Sequence, residues 1–239
     1  MKPRIDLSVI TVTFNNFNGL RRTYFSLSSQ SWRSFEWIVI DGDSSDETKT
    51  FLMGQNLSKT WLSEPDRGIY DAMNKGVRLA KGQYFLFLNA GDELYGPNAL
   101  SFFESFIDAN DDILLFGFAL GNRLRFSRPP IWCYWKMPTS HQAMLFHSRI
   151  FADRTYLEGF RTAGDFDFFL WAFRANKRIE RVNRILVVNE PYGSDTFMNQ
   201  WEYFSASSRH IGFILATSIS ALRLMYFCIQ CLLKRRVQF

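Results

Sequence analysis

Asp92 lies in a setting suited to binding a divalent cation. It follows the apolar run 84–88, within the segment Asn-Ala-Gly-Asp of this 239-residue chain. Mg²⁺ and Mn²⁺ prefer one or two carboxylates together with phosphate oxygens of a ligand. The alternative is that Asp92 only caps a helix expected over 97–110. We predict that Asp92 binds a divalent metal, Mg²⁺ or Mn²⁺.

A second pair of acids, Asp165 and Asp167, is separated by one residue. On a helix two such side chains diverge by about 200°, so they rarely face one ion. The spacing therefore favours one general base with a structural partner. The spacing alone leaves open whether Asp165 or Asp167 is the base. A carboxylate at a helix start can also serve only the helix dipole.

His141 stands between a polar loop, 138–140, and an apolar run, 143–146. We predict a catalytic contribution from its ring, and a structural histidine is the alternative. His147 follows six residues later. Two histidines without a third ligand do not make a zinc site.

Several function classes lack their sequence signatures. The chain has no G-x-S-x-G elbow, no G-x-G-x-x-G turn and no P-loop, which disfavours hydrolases, dinucleotide oxidoreductases and kinases. A net charge of +5 is compatible with phosphate-bearing ligands. The basic residues are scattered along the chain, so we expect no nucleic-acid partner. Three cysteines are too few for a disulfide framework.

Short apolar runs alternate with helical patterns in the first half of the chain, which predicts βα units around a mainly parallel sheet. The predicted strands are 7–12, 35–40, 60–62 and 84–88. The predicted helices are 70–80, 97–110 and 165–176. Chemistry in such sheets gathers beyond the carboxyl ends of the strands. Asn15, Asp41 and Asp92 all fall there.

The segment 211–233 carries a single charge, Arg223, and is followed by the basic run 234–236. It is long enough to span a bilayer. A central arginine, however, costs about 2.5–3.5 kcal/mol on insertion scales. We therefore expect residues 211–236 to lie in the plane of a membrane surface; a closing core helix is the alternative. The N-terminus lacks the apolar run of a signal peptide, which predicts a cytoplasmic protein, peripheral on the inner face of the cell membrane.

Six segments, in matching order and spacing, resemble the bacterial glycosyltransferases of family 2. These enzymes have the GT-A fold, and the resemblance is near the branch that builds colanic acid, capsule and O-antigen polysaccharides. The segments fall within residues 5–190. They are LSVITVTFNN, FEWIVIDGDSSDET, SEPDRGIYDAMNKG, YFLFLNAGDEL, SHQAMLF and AGDFDFFLWAFR.

The resemblance implies an α/β fold, a Rossmann-like nucleotide-binding mixed sheet flanked by helices. It implies inverting transfer of a sugar from a UDP- or GDP-linked donor to an acceptor hydroxyl. Because residues 211–236 are expected at a membrane, we expect that acceptor to be a lipid-linked oligosaccharide. Asp165 would be the general base, and Asp92 would bind a divalent metal. The nucleotide-sugar site would comprise Val12, Phe14, Asn15, Asp41, Asp71, Asn74 and Asn89.

A GT-A domain would occupy 1–200, with the donor half in 1–95 and the acceptor half in 96–200. Residues 201–239 would form an apolar helical extension that associates with membrane. The chain departs from many relatives at acidic positions. Gly42 replaces the acid that often follows the second strand, Asn89 and Gly91 replace acids of the metal motif, and Gly164 replaces the acid before the base.

Two alternative functions remain open. A nucleotidyltransferase-like enzyme would normally carry a glycine-rich phosphate loop after the first strand, where this chain has Thr-Phe-Asn-Asn at 13–16. A non-catalytic, membrane-bound homologue would keep the fold but would have no reason to keep Asp165 together with Asp92.

Overall fold

The computed structural model describes residues 5–57, 60–106, 110–190 and 197–236. The strands are β1 (Leu7–Thr13), β2 (Phe35–Asp41), β3 (Thr60–Ser63), β4 (Tyr84–Phe87), β5 (Glu93–Leu94), β6 (Ile113–Leu120), β7 (Arg123–Arg125), β8 (Met144–His147) and β9 (Ile179–Asn189). The helices are α1 (Phe17–Ser28), α2 (Thr48–Met53), α3 (Ile69–Leu79), α4 (Ile150–Asp153), α5 (Gly164–Arg174), α6 (Phe197–Ile211) and α7 (Phe213–Arg236). Short 3₁₀ turns cover Phe103–Ser105, Pro130–Tyr134 and His141–Ala143.

The described strands form one nine-stranded mixed sheet in the order β3-β2-β1-β4-β8-β6-β9-β5, with β7 paired to β6. The first four strands are parallel. Antiparallel pairing begins where β8 joins β4. All seven residues of β1 are buried, as expected for a parallel strand covered on both faces. The predicted α/β mixed sheet is confirmed.

The carboxyl ends of the first three strands meet at one edge of the sheet. Thr13 of β1 lies opposite Asp41 of β2, and Asp41 lies opposite Ser63 of β3. Helix α3 reaches the same edge because it packs very closely on β1. A side chain at Gly76 of α3 would overlap the side chain of Ile10. This close approach brings the first turn of α3 next to the strand ends.

The helix predicted over 97–110 is wrong. Among the described residues of that range only the 3₁₀ turn Phe103–Ser105 forms, and 107–109 lie outside them. Leu100, Phe102 and Phe103 are all buried. On a regular helix Leu100 and Phe103 would share one face and Phe102 would point away from it, so a single packed face could not bury all three.

Helix α6 packs against the first turn of α5. The Glu202 carboxylate accepts hydrogen bonds from the backbone N–H groups of Arg161, Thr162 and Ala163 at 2.8–3.0 Å. His210 contacts Asp167 at 3.0 Å. The expected domain boundary at residue 201 therefore falls inside α6, which is part of the packing around α5.

Helix α7 directs its central arginine toward the domain. Arg223 is buried and donates to the backbone carbonyls of Trp135 and Tyr134 at 2.6 and 2.9 Å. None of the helices in the described ranges is both long and apolar enough for a membrane crossing. The side chains of 234–236, the predicted basic run, lie outside those described.

Candidate active site

Asp41 ends β2 and is held by three donors. It accepts hydrogen bonds from the hydroxyl and the backbone N–H of Ser44, and from the Ser63 hydroxyl at 2.6 Å. Asn15 follows β1 with a positive φ of 48°, a conformation that asparagine tolerates better than most residues. Its side-chain oxygen accepts from the backbone N–H of Ser45 at 2.9 Å. These bonds fix the two loops against each other.

Phe14 lies between these loops and is 63% exposed, so its ring face is free to stack on a planar ligand. Val12 differs, because its side chain packs in the core beneath the strand ends. Only its backbone can line a ligand site. Its carbonyl already accepts from the backbone N–H of Ala90.

A carboxylate from elsewhere fills the side-chain position missing at Gly42. A Cβ at Gly42 would lie 2.6 Å from Oδ2 of Asp66, in the loop before α3. The same Cβ would lie 3.3 Å from the Phe14 ring. Asp66 thus places an acid beside Phe14, in the space that a side chain at position 42 would fill.

Asp71 and Asn74 lie on α3 and are both buried. Burial acts to raise the pKa of Asp71, but hydrogen bonds from the backbone and side chain of Arg67 and the charge of Lys75 outweigh it and lower the pKa. Asn74 uses both polar ends of its amide on the backbone of Tyr156, at 2.9 and 3.0 Å. Its visible role is to hold the loop of Tyr156; contact with a donor stays a prediction.

Asp92 is buried in the loop after β4. Burial raises its pKa to about 7, opposed by a hydrogen bond from the backbone N–H of Glu190 and assisted by the charge of Glu190. That hydrogen bond is 3.0 Å long. Among the described residues Asp92 forms no ion pair. A cation beside this carboxylate would therefore relieve an unfavourable buried charge.

The side chain of Glu190 lies against Gly91, in the space that a side chain at position 91 would occupy. Gly91 has a φ of 109°, which side-chain-bearing residues rarely adopt. An acid at position 91 would therefore be strained, and Glu190 supplies a carboxylate at that place instead. Arg22 forms ion pairs with both Glu190 and Glu93.

A divalent cation fits these residues only if a ligand completes its coordination. The described residues contain no group of three or more acidic, histidine or cysteine side chains arranged around one ion. Asn89 offers a buried side-chain oxygen that has no hydrogen-bond partner in the described part of the chain. Asp92, Glu190 and the orphaned Asn89 oxygen are hard donors, and Mg²⁺ or Mn²⁺ takes its remaining ligands from phosphates and water.

Asp165 lies half-buried in the first turn of α5. Its Oδ1 accepts from the Tyr70 hydroxyl at 3.1 Å and from the backbone N–H of Phe166 at 2.8 Å. A Cβ at Gly164 would lie 2.8 Å from the Tyr70 ring. The glycine therefore makes room for the tyrosine that orients the carboxylate.

His141 is buried and stacks on Phe87 of β4, with ring centroids 5.1 Å apart. Its Nε2 lies 2.8 Å from the Tyr156 hydroxyl. Burial lowers the pKa of His141, opposed by the charge of Asp165. The neutral ring links the end of β4 to the loop of Tyr156, next to Asp165.

Asp167 is fully buried and is bound on both sides. It pairs with Arg154 at 2.5 Å and with His210 at 3.0 Å. A carboxylate so enclosed cannot reach a substrate hydroxyl. Asp167 is thus the structural member of the acidic pair, and Asp165 is the accessible one.

Sequence reasoning missed three contributors to this site: Asp66, Tyr70 and Glu190. Tyr70 stands directly before Asp71 in the segment SEPDRGIYDAMNKG, so its position in the sequence could have indicated a place in the site. Asp66 and Glu190 come from loops distant in sequence from the glycines they cover, 42 and 91. No local pattern indicates such pairings.

Similar sequences agree on one family. Residues 8–179 match glycosyl transferase family 2. An uncharacterized glycosyltransferase of Mycobacterium tuberculosis is 43% identical over 97 residues, which are 40% of this chain and 37% of the relative's length. A PGL/p-HBAD biosynthesis glycosyltransferase of Mycobacterium bovis is 29% identical over 196 residues, or 76% of this chain and 75% of the relative.

Solved structures match most of the chain at low identity, which bears on the fold alone. S. aureus TarS 1–349 in complex with UDP-GlcNAc has a TM-score of 0.70 at 19% identity, covering 92% of this chain and 71% of that one. The mannosyltransferase PcManGT from Pyrobaculum calidifontis, in complex with GDP-Man and Mn²⁺, has a TM-score of 0.67 at 14% identity, covering 98% and 80%. The chain has a GT-A fold and belongs to glycosyl transferase family 2.

Proposed function

We propose that this protein is an inverting glycosyltransferase that moves a sugar from a nucleoside diphosphate sugar, UDP- or GDP-linked, to a hydroxyl of a lipid-linked oligosaccharide. The product would belong to a surface polysaccharide such as capsule, O-antigen or colanic acid. The family match supports sugar transfer and disfavours the nucleotidyltransferase alternative. Donor, acceptor and pathway are part of the proposal.

One observation carries it: an accessible carboxylate is oriented next to the donor edge of the sheet. Tyr70 holds Asp165, and the neighbouring Asp71 lies on the same first turn of α3. That turn packs beside the strand ends that carry Asp41. A nucleotide at this edge would thus present its sugar toward Asp165.

The chain's own residues divide the work. Phe14 stacks on the base, and Asp41 and Asp66 contribute acceptors around the nucleoside. Asp165 accepts the proton of the acceptor hydroxyl as that oxygen attacks the anomeric carbon, while the bond to the diphosphate breaks on the opposite face. The proton ends on Asp165 and the nucleoside diphosphate leaves.

Asp92, with Glu190 and the Asn89 oxygen, is the set that would hold a divalent cation. Such an ion, when bound, neutralises charge that develops on the leaving diphosphate. The raised pKa of Asp92 without a cation supports this assignment. A structural neighbour was solved with GDP-Man and Mn²⁺, which is consistent with it.

A peripheral position on the inner face of the cell membrane would bring the enzyme to a lipid-linked acceptor. Exposed apolar side chains on α7 support it, among them Phe213, Ile214 and Leu222. Because Arg223 is bonded inside the domain, it does not interrupt this face. Nucleotide sugars are cytosolic, which matches this location.

A thermal-shift screen of UDP, GDP and their sugars, each with and without Mn²⁺, tests the donor class. Binding to the folded state stabilises by RT ln(1 + [L]/Kd), so micromolar ligands are detectable. Hits are then assayed for nucleoside diphosphate release with lipid-linked acceptors. A protein that binds a nucleotide sugar but never turns it over, even with Asp165 intact, would instead be the non-catalytic homologue.

A further inference from the structure

The segment 123–132, here called the arginine hairpin, exposes an unusual mixture of side chains. It comprises β7 and the start of the Pro130–Tyr134 turn. Leu124, Phe126 and Ile131 are 51%, 53% and 60% exposed. Large apolar side chains clustered on one surface, unlike single scattered ones, indicate a binding surface.

Cations alternate with these apolar groups, so along β7 Arg123 and Arg125 point to the opposite face from Leu124. Arg123, Arg125 and Arg128 are all exposed, and the Arg128 guanidinium lies 4.2 Å from the centre of the Trp132 ring. The stretch 113–152 contains no Asp or Glu. A shallow cavity beside the hairpin, of about 430 Å³, does include Glu180, but Arg181 stands next to it. The hairpin therefore exposes apolar side chains and cations together, on its two faces.

Helix α7 contacts the residues that directly follow the arginine hairpin. Arg223 of α7 donates to the carbonyls of Trp135 and Tyr134, which end the turn that begins in the hairpin. The rings of Trp135 and Tyr226 are 6.2 Å apart. The exposed side chains on this part of α7 are mostly aliphatic or sulfur-containing: Leu222, Leu224 and Met225, beside Tyr226.

We propose that the arginine hairpin docks on the surface of an anionic phospholipid bilayer, beside α7. Its arginines pair with lipid phosphates, and Leu124, Phe126 and Ile131 enter the boundary between head groups and acyl chains. Arginine with aromatic rings alone would also suit single-stranded nucleic acid. The aliphatic side chains of adjoining α7 offer no stacking surface and instead favour lipid. The inference rests on the proposed function only for its membrane location.

The test is sedimentation of the full chain with vesicles of phosphatidylcholine and phosphatidylglycerol, and with phosphatidylcholine alone. The charge variant R123S/R125S is compared with R78S/K81S, which removes two exposed cations from the far end of α3. One cation near an anionic leaflet contributes about fivefold to partitioning, so the hairpin variant should bind at least tenfold more weakly. The control should bind nearly as the wild type does. F126S/I131S should also release the protein.

A third variant, L215S/L222S, separates this inference from the membrane location itself. If L215S/L222S no longer binds the vesicles while both hairpin variants bind like the control, α7 alone contacts the membrane and the inference is overturned. Failure of the wild type to bind either vesicle overturns the inference and the membrane location together. Hairpin variants that lose affinity for a nucleic acid rather than for vesicles would also overturn the inference. Binding of the nucleotide-sugar donor should be unchanged in all these variants, so the proposed donor site is judged separately.

Discussion

The Tyr70 hydroxyl donates a hydrogen bond to Asp165 at 3.1 Å, across 95 residues of sequence. The Tyr70 ring also occupies the place of a side chain at Gly164. Burial, together with the charge of Asp165, raises the pKa of Tyr70 well above its ordinary value, so it stays a donor. Helix α3, which carries the proposed donor-site residues Asp71 and Asn74, thereby orients the proposed base.

Tyr70→Phe should therefore lower kcat while leaving the affinity for donor nucleotide unchanged. Losing one hydrogen bond to a charged group costs about 1.5–3 kcal/mol, which corresponds to a 10- to 100-fold slower reaction. Tyr84→Phe, on β4 and away from Asp165, is the matched control and should keep its rate. Steady-state kinetics and nucleotide titration make the comparison. Equal losses in both variants would remove the positioning role of Tyr70.

Asp165→Asn and Asp167→Asn should fail in different ways. The first should lower kcat by roughly 10² to 10⁴, the usual contribution of a positioned base, with nucleotide binding intact. The second breaks a buried arrangement with Arg154 and His210, which costs on the order of 3–5 kcal/mol of stability. Thermal unfolding and turnover of both variants are the measurements. A stable Asp167→Asn protein without activity would return the base assignment to Asp167.

The positions of the first strands and the polar edge could be predicted because each depends on local pattern. Apolar runs ending at Asp41 or before Asp92 mark strand ends, and parallel strands bring those ends together. The sequence could not show which carboxylates fill the spaces beside the glycines of the site. Asp66 beside Gly42 and Glu190 beside Gly91 depend on where distant loops pack, which no spacing encodes. Arg223 illustrates the same limit, since a single charge in an apolar run does not say which way it faces.

Asp92→Ala should abolish the Mn²⁺ dependence of nucleotide binding, and Glu190→Gln should weaken Mn²⁺ affinity by roughly tenfold. Glu93→Gln is the control, because Glu93 also pairs with Arg22 but does not cover Gly91. Electron paramagnetic resonance of free Mn²⁺, titrated with protein and UDP or GDP, gives affinities independent of turnover. If the Glu190 and Glu93 variants bind Mn²⁺ alike, Glu190 has no part in holding the ion.

Asp92→Asn should make the metal-free protein more stable at neutral pH. Burial raises the pKa of Asp92 from 3.8 to about 7. The folded state therefore binds a proton more tightly than the unfolded chain does, and stability falls as the pH rises from about 4 to 7. At 1.36 kcal/mol per unit the loss is of order 4 kcal/mol, constant above pH 7.

The asparagine of the Asp92→Asn variant can still accept from the Glu190 N–H but carries no charge. Urea unfolding in chelator, from pH 4 to 8, should thus show the variant gaining on the wild type as the pH rises. Asp71→Asn should instead be less stable than the wild type by a constant amount from pH 4 to 8, since the pKa of Asp71 is lowered and its ionised form stabilises the fold throughout that range. A wild type and an Asp92→Asn protein with parallel pH profiles would mean that Asp92 is already paired with a counter-charge in the folded state.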